Sequence, residues 1–281
     1  MPSPARIIDG RAIAARILSS ITATCTRLQL KPHLCVLQVG DRPDSNLYIR
    51  AKEKAAHRTQ TMGFSHIKLP LEASQTDLLN EIMLANQSPT IHGIIIQLPL
   101  PVHINTFQVL NAVAPAKDVD SFSVHALGLM AQGLEPLFIP PTAAAIMHVL
   151  EEHSISLKGK IVAVVGRGKT VGLPLSLLMN HAKYAASTVI VCHSETVNPQ
   201  ALVRLADVVV VATGVPGLVD ASWIKAGAVV IDVGSVGGDV DFGGVVNVAS
   251  VVSPVPGGVG PVTVAKLLEN TLKGAIRSLE G

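Results

Sequence analysis

A chain of 281 residues with 48% apolar side chains is long enough for one large or two modest domains with packed cores. A net charge of +2 and an aromatic content of 3% supply neither the basic footprint nor the stacking side chains of a nucleic-acid binder. No apolar run approaches the ~18 residues of a membrane-spanning helix, and the opening MPSPARIIDG lacks a signal-peptide apolar region. Cys25, Cys35 and Cys192 are scattered, fitting neither a disulfide framework nor a metal site, so the expectation is a soluble cytoplasmic α/β protein without a metal.

In chain order, Asp9 caps an expected helix to about residue 28, with Ile13, Ile17, Leu18 and Ile21 at helical spacing. LCVLQVG (34–40) reads as a buried strand. SNLYIRAKEKAAHRTQTMG (45–63) reads as a helix capped by Ser45 and ended by Gly63. HIKLPL (66–71) is a weaker strand, and residues 74–87 are a helix opened by a capping box of Ser74 and Asp77. IHGIIIQLPLP (91–101) is a strand running into two prolines, and PPTAAAIMHVL (140–150) is a further helix.

IVAVV (161–165) then runs straight into Gly166, Arg167 and Gly168, with Gly172 and a helix over 173–182 behind them. Strands follow at 187–194, 206–214 and 228–234, and a loop rich in glycine and proline (253–263) precedes a C-terminal helix. This alternation predicts right-handed βαβ units. The fold expected is two α/β domains with a cleft between them, the C-terminal one a Rossmann-like parallel sheet. The boundaries fall at residues 1–138 and 139–261, with the helix over 262–281 packing back on the first domain.

Four groups of residues carry possible chemistry. Ser45, Tyr48 and Lys52 lie at i, i+3 and i+7 of one helix, within an arc of ~60°. They read either as a solvated stripe or as a proton-handling group, because burial lowers an ammonium pKa. Gln97 ends an apolar strand, where open α/β sheets bind ligands. In KDVD, Asp118 and Asp120 project to one face of an extended backbone. Without a His or Cys partner they suit a donor-rich ring edge better than a metal. The fourth group is the turn through Gly166, Gly168 and Gly172, at which free N–H groups and a helix N-terminus form an anion site. Its G-x-G-x-x-x-G spacing is one residue longer than the dinucleotide fingerprint, so a turn without a ligand stays open. GKT (168–170) lacks the earlier glycine of a phosphate-binding P-loop, because Ala163 stands there.

Seven segments in register resemble the bifunctional methylenetetrahydrofolate dehydrogenase/cyclohydrolase family. They are VGDRPDSNLYIRAKEKA (39–55), GIIIQLPLP (93–101), PAKDVDSF (115–122), KGKIVAVVGRGKTVGLPL (158–175), CHSETVN (192–198), GDVDF (238–242) and PVPGGVGPVT (254–263). The resemblance implies a folate-binding catalytic first domain and an NADP-binding second domain, in a homodimer of one-carbon metabolism. It places Tyr48, Lys52 and Gln97 in catalysis, with Lys52 as the proton acceptor. Folate binding falls to Asp120, Tyr48, Pro256, Gly257, Gly258 and Thr263. NADP binding falls to Gly166, Arg167, Gly168, Gly172 and Ser194.

The chain departs from the family where Ser121 replaces a usual glycine, at Pro140-Pro141-Thr142-Ala143, at Arg167-Gly168 and at Ser235-Val236. Glu195 stands where a basic residue is frequent, and an acid at that distance from the glycine turn is a cue for NAD. It falls three residues past Cys192, where the strand is taken to end, so Arg167 decides for NADP. The alternatives are a relative with dehydrogenase activity alone, through the departures at Ser121 and Pro141, and a nucleotide-binding protein without catalysis.

Overall fold

The computed structural model describes residues 5–235 and 237–279; Val236, one of the departures above, lies outside them. Two compact units divide the chain, one of Met1–Ala14 with Thr142–Thr263 and the other of Ala15–Pro141 with Val264–Gly281. In chain order the elements are β1 (Arg6–Ile7), α1 (Gly10–Leu28), β2 (His33–Val39), α2 (Pro43–Arg58), β3 (Gly63–Leu69), α3 (Gln75–Gln87), β4 (Gly93–Ile96), α4 (Thr106–Ala112), α5 (Val124–Ala131) and α6 (Pro141–Glu152). There follow β5 (Ile161–Val165), α7 (Gly172–Asn180), β6 (Thr188–Cys192), α8 (Pro199–Val203), β7 (Val208–Val211), β8 (Val229–Asp232), α9 (Phe242–Val245), β9 (Val251–Val252) and α10 (Val259–Arg277). The unit boundaries fall within α1 and α10.

The unit built on Ala15–Pro141 holds a three-stranded sheet of order β3-β2-β4, parallel throughout. The middle of the central strand is apolar because both of its faces are covered, and Leu34, Cys35, Val36 and Leu37 are fully buried. Leu78 and Ile82 of α3 and Val109 of α4 close one side of this core. The expected capping box opens α3: Ser74 Oγ accepts from Asp77 N at 3.2 Å, and Asp77 Oδ2 accepts from Ser74 N at 2.8 Å.

The other unit holds a six-stranded parallel sheet of order β1-β9-β8-β7-β5-β6. Its valine-rich central strands pack against Val203, Val219, Val240 and Val245. This is the doubly wound sheet that the alternating sequence predicts, with the strand order reversing beside β5.

Three sequence expectations are corrected. Ser45 does not cap α2: Pro43, with its preset φ and no N–H to satisfy, takes the first turn, and Ser45 is buried inside the helix. Gly63 does not end α2 but starts β3, where a Cβ would stand 2.6 Å from His33 Nδ1. The first residues do not stay with the three-stranded sheet, because β1 pairs in parallel with β9 and extends the six-stranded one.

Candidate active site

Within the unit of the three-stranded sheet, α2 and the end of β4 bring Lys52 and Gln97 together. Lys52 Nζ donates to Gln97 Oε1 at 3.0 Å, and Gln97 Nε2 donates to Leu98 O at 2.8 Å. The second bond fixes which way the amide faces, so its oxygen is held toward the ammonium. Burial pushes the Lys52 ammonium below its ordinary value, and the Asp120 carboxylate pulls weakly the other way. Asp120 is driven up to about 6 by burial, against the opposing charge of Lys52 and with help from Asp118. Tyr48 sits one helical turn before Lys52 and is half exposed.

The KDVD segment separates by function once folded. Lys117 Nζ donates to the carbonyls of Ala85, Asn86 and Ser88 at 3.0, 2.7 and 2.6 Å, which ties the segment to the C-terminal end of α3. Asp118 is buried and accepts from Phe122 N and Ser123 N at 3.3 and 3.0 Å, building the turn. Asp120 accepts no hydrogen bond among the described residues, which leaves its carboxyl for a ligand. Ser121 has a φ of +56°, the left-handed region that favours glycine, and its Oγ donates to Phe138 O at 2.6 Å.

In the unit of the six-stranded sheet, β5 delivers the glycine turn. Gly166 has a φ of +112°, and a Cβ there would strike the Ala212 carbonyl; one on Gly172 would strike the Gly166 carbonyl. A Cβ on Gly168 would meet nothing within 4 Å, so the loop leaves open space at that point. The N–H groups of Arg167, Gly168, Lys169 and Thr170 donate to no partner among the described residues, and α7 begins without a side-chain cap. Open space, free amides and a positive helix end fit a dinucleotide pyrophosphate.

The pairing of Val165 with Cys192 sets the next turn beside this one. That turn closes through His193 N donating to Thr196 Oγ1 and Thr196 N donating to His193 O, both at 2.9 Å. It presents Ser194 and Glu195 to solvent, as Arg167 also is. The donor set of a guanidinium and a hydroxyl suits a phosphate.

Two carboxylates escaped the sequence reading. Asp232 Oδ1 accepts from Gly234 N and Asp239 N at 2.8 and 3.0 Å, and its Oδ2 from Val240 N at 3.1 Å. Asp239 Oδ2 in turn accepts from Gly214 N at 2.8 Å and from Thr213 Oγ1 at 3.0 Å. Together they gather the loops leaving β7 and β8. The glycine-aspartate alternation of GDVDF was their available signal, since a Cβ on Gly238 would stand 2.5 Å from Asp232 Oδ2.

Pro256, Gly257 and Gly258 follow β9 in the same unit, with Gly257 at a φ of +108° and Gly258 N donating to Pro254 O at 2.9 Å. Thr263 does not lie in this loop: α10 begins at Val259, and Thr263 Oγ1 donates to Val259 O at 3.3 Å inside the helix. Among the described residues no group of three or more His, Cys, Asp or Glu side chains is placed to hold a metal ion. No described helix is long and apolar enough to cross a membrane.

Comparison with known proteins decides the family. Residues 8–120 match the catalytic domain of tetrahydrofolate dehydrogenase/cyclohydrolase, and residues 140–279 match that family's NAD(P)-binding domain. The chain belongs to the tetrahydrofolate dehydrogenase/cyclohydrolase family. Among its relatives is the bifunctional protein FolD of Pelobacter propionicus, 46% identical over 98% of this chain and 99% of that one. Bifunctional protein FolD 2 of Arabidopsis thaliana is 43% identical over 97% and 96% of the two chains. The crystal structure of the Trypanosoma brucei methylenetetrahydrofolate dehydrogenase-cyclohydrolase, complexed with NADP and an inhibitor, superposes with a TM-score of 0.94. It is 38% identical, with both chains fully covered. The fold and bifunctional family read from the seven segments are thus borne out.

Proposed function

We propose that this member of the tetrahydrofolate dehydrogenase/cyclohydrolase family oxidises 5,10-methylenetetrahydrofolate with NADP to 5,10-methenyltetrahydrofolate and hydrolyses that product to 10-formyltetrahydrofolate. The observation that carries the reading is the enclosed Lys52 ammonium, bonded to Gln97 and facing the free carboxyl of Asp120, in the part that matches the family's catalytic domain. NADP, when bound, supplies the hydride acceptor. Gly166, Gly168 and Gly172 would hold its pyrophosphate, and Arg167 with Ser194 its 2′-phosphate. For the first step this chain's own residues orient the folate: Asp120 accepts from the 2-amino and neighbouring N–H groups of the pterin, and Tyr48 flanks it.

The second step needs a proton acceptor. As water adds to the methenyl carbon, one of its protons passes to the Lys52 amine, and the ring then opens with a proton on the departing nitrogen. Desolvation favours the neutral amine, and the Gln97 oxygen aims it. The family resemblance assigns Pro256, Gly257, Gly258 and Thr263 to folate as well. One assay tests the whole: NADP reduction with methylenetetrahydrofolate, followed by decay of the methenyl absorbance. An active wild-type chain shows both phases, and absence of the second confines the enzyme to dehydrogenation.

Two variants test the binding roles. Asp120→Ala is expected to weaken folate binding by on the order of 1.5–3 kcal/mol, the worth of a charged hydrogen bond, and to impair both activities. For the same reason folate affinity should fall below about pH 6, where Asp120 takes up a proton. The sign for stability is the reverse. A carboxyl raised from 3.8 to about 6 costs the fold most once ionised, so Asp120→Ala is no less stable at pH 7. An effect on NADP binding alone would place Asp120 in the wrong site. Arg167→Ala should lower kcat/KM for NADP by about tenfold to a hundredfold while sparing NAD, because only NADP carries the 2′-phosphate. A wild-type preference for NAD, unchanged by that substitution, would instead make Glu195 the selector.

The same proposal takes the protein as a cytoplasmic homodimer acting on a small folate in the one-carbon supply to purine biosynthesis, with no nucleic-acid or membrane partner. The family resemblance supports this part, and the buried free thiols of Cys25, Cys35 and Cys192 suit a reducing compartment. Light scattering that reports a one-chain mass would overturn the dimer.

A further inference from the structure

Asp120 lies between two residues that are both tied to one neighbouring segment. On one side, the buried Asn270 of α10 donates to Val119 O and to Ile139 O, both at 2.9 Å. On the other, Ser121 Oγ donates to Phe138 O at 2.6 Å. Val119 and Ser121 thus anchor the turn to Phe138 and Ile139 from either flank of Asp120. Ser121 N also donates to Asp118 O at 3.0 Å, closing the turn on itself.

Ser121 is an odd choice for backbone geometry alone. At a φ of +56° and 1% exposure, glycine would fit without strain, and a side chain here must be held by something. The hydroxyl supplies that hold through a buried bond to a carbonyl. Removing the hydroxyl leaves the turn free to shift, and Asp120 moves with it.

We propose that Ser121 is a positioning residue for folate, fixing the Asp120 carboxyl beside Lys52 through its bond to Phe138. This rests on the folate reading of Asp120 given above. The charged groups that face Asp120 are Lys52 from α2 and Asp118 from its own turn. A turn that drifts from Lys52 raises the pH at which Asp120 gives up its proton, since Lys52 is the group that lowers it.

The test compares Ser121→Gly with Ser121→Ala in the full-length enzyme. The glycine variant loses the bond and the backbone strain together, so it should melt no lower than the wild type. It should nevertheless raise the KM for methylenetetrahydrofolate about threefold to tenfold, the worth of one buried hydrogen bond. The KM for NADP should not move, and the acid-side rise in folate KM should begin at higher pH. The alanine variant should show the same folate defect with a lower melting temperature, because it keeps the strain without the bond. If alanine fails to fold, the glycine variant alone decides. Wild-type folate kinetics at every pH in Ser121→Gly would overturn the role, as would equal changes in the KM for folate and for NADP. An inactive wild-type chain that does not bind tetrahydrofolate by calorimetry would overturn the folate reading itself, a result visible before any variant is made.

Discussion

Replacing Lys52 by methionine is expected to slow methenyl hydrolysis by about two to four orders of magnitude, the usual worth of a positioned general base. Methionine keeps the length of the stem and removes the amine that donates to Gln97 Oε1. The fold should survive. A lysine whose ammonium is pushed below its ordinary value binds fewer protons folded than unfolded. It therefore weakens the fold below its folded pKa, and the cost fades as pH rises toward the unfolded value. Lys52→Met lifts that cost, so near neutrality the variant should melt no lower than the wild type, with any gain shrinking as pH rises. Methenyl absorbance and a thermal melt read the two halves separately. Hydrolysis within tenfold of wild type in a folded variant would remove Lys52 from the mechanism.

The largest effect on stability is expected at Asp232. Asp232→Ala orphans the N–H groups of Gly234, Asp239 and Val240 in one step, the last two of them buried. At a cost of about 1 kcal/mol or more for each unsatisfied group, the loss is ~3 kcal/mol or more. For a chain of this size that corresponds to roughly 5–10 °C in Tm. Burial holds the Asp232 carboxyl above its ordinary value despite those three bonds. The wild type therefore gains most from this group when it is protonated, and the gap to the variant narrows as pH rises through that window. Weaker NADP binding should accompany the loss, since the loop leaving β7 flanks the glycine turn. A Tm within about 2 °C of wild type would show that these loops are held by something else.

Much of the architecture was legible because the signals were local and repeated. Valine-rich runs such as IVAVV and VVVV are buried on both faces of a parallel sheet, and the Ser74–Asp77 box needs only its own four residues. What escaped depends on distance in sequence. β1 has only two residues and means nothing until β9 is beside it, 245 positions further on by the pairing of Arg6 with Val251. Ser45 reads as a cap by residue type, but Pro43 sets the start of α2 two residues earlier. Thr263 belongs to a proline- and glycine-rich stretch, yet helix geometry reaches back to Val259 across Gly260 and Pro261, where α10 is in its first turn. In the site, Asp118 and Asp120 are the same residue type on the same expected face. Only the turn tells them apart, giving one its backbone donors and leaving the other without. Asp232 ends a strand, and its partners lie in a loop that closes only after β8 is placed.

The two residues of β1 also act as a cover. They occupy the outer side of β9, and Gly10 just beyond them packs so closely on Gly258 that a Cβ there would collide with its carbonyl. A chain shortened past Ile8 would uncover the N–H and C=O groups of Val251 and Val252 along an apolar rim. Such a rim is a template for a strand from another molecule, so the shortened protein should precipitate on concentration while its remaining sheet is still folded.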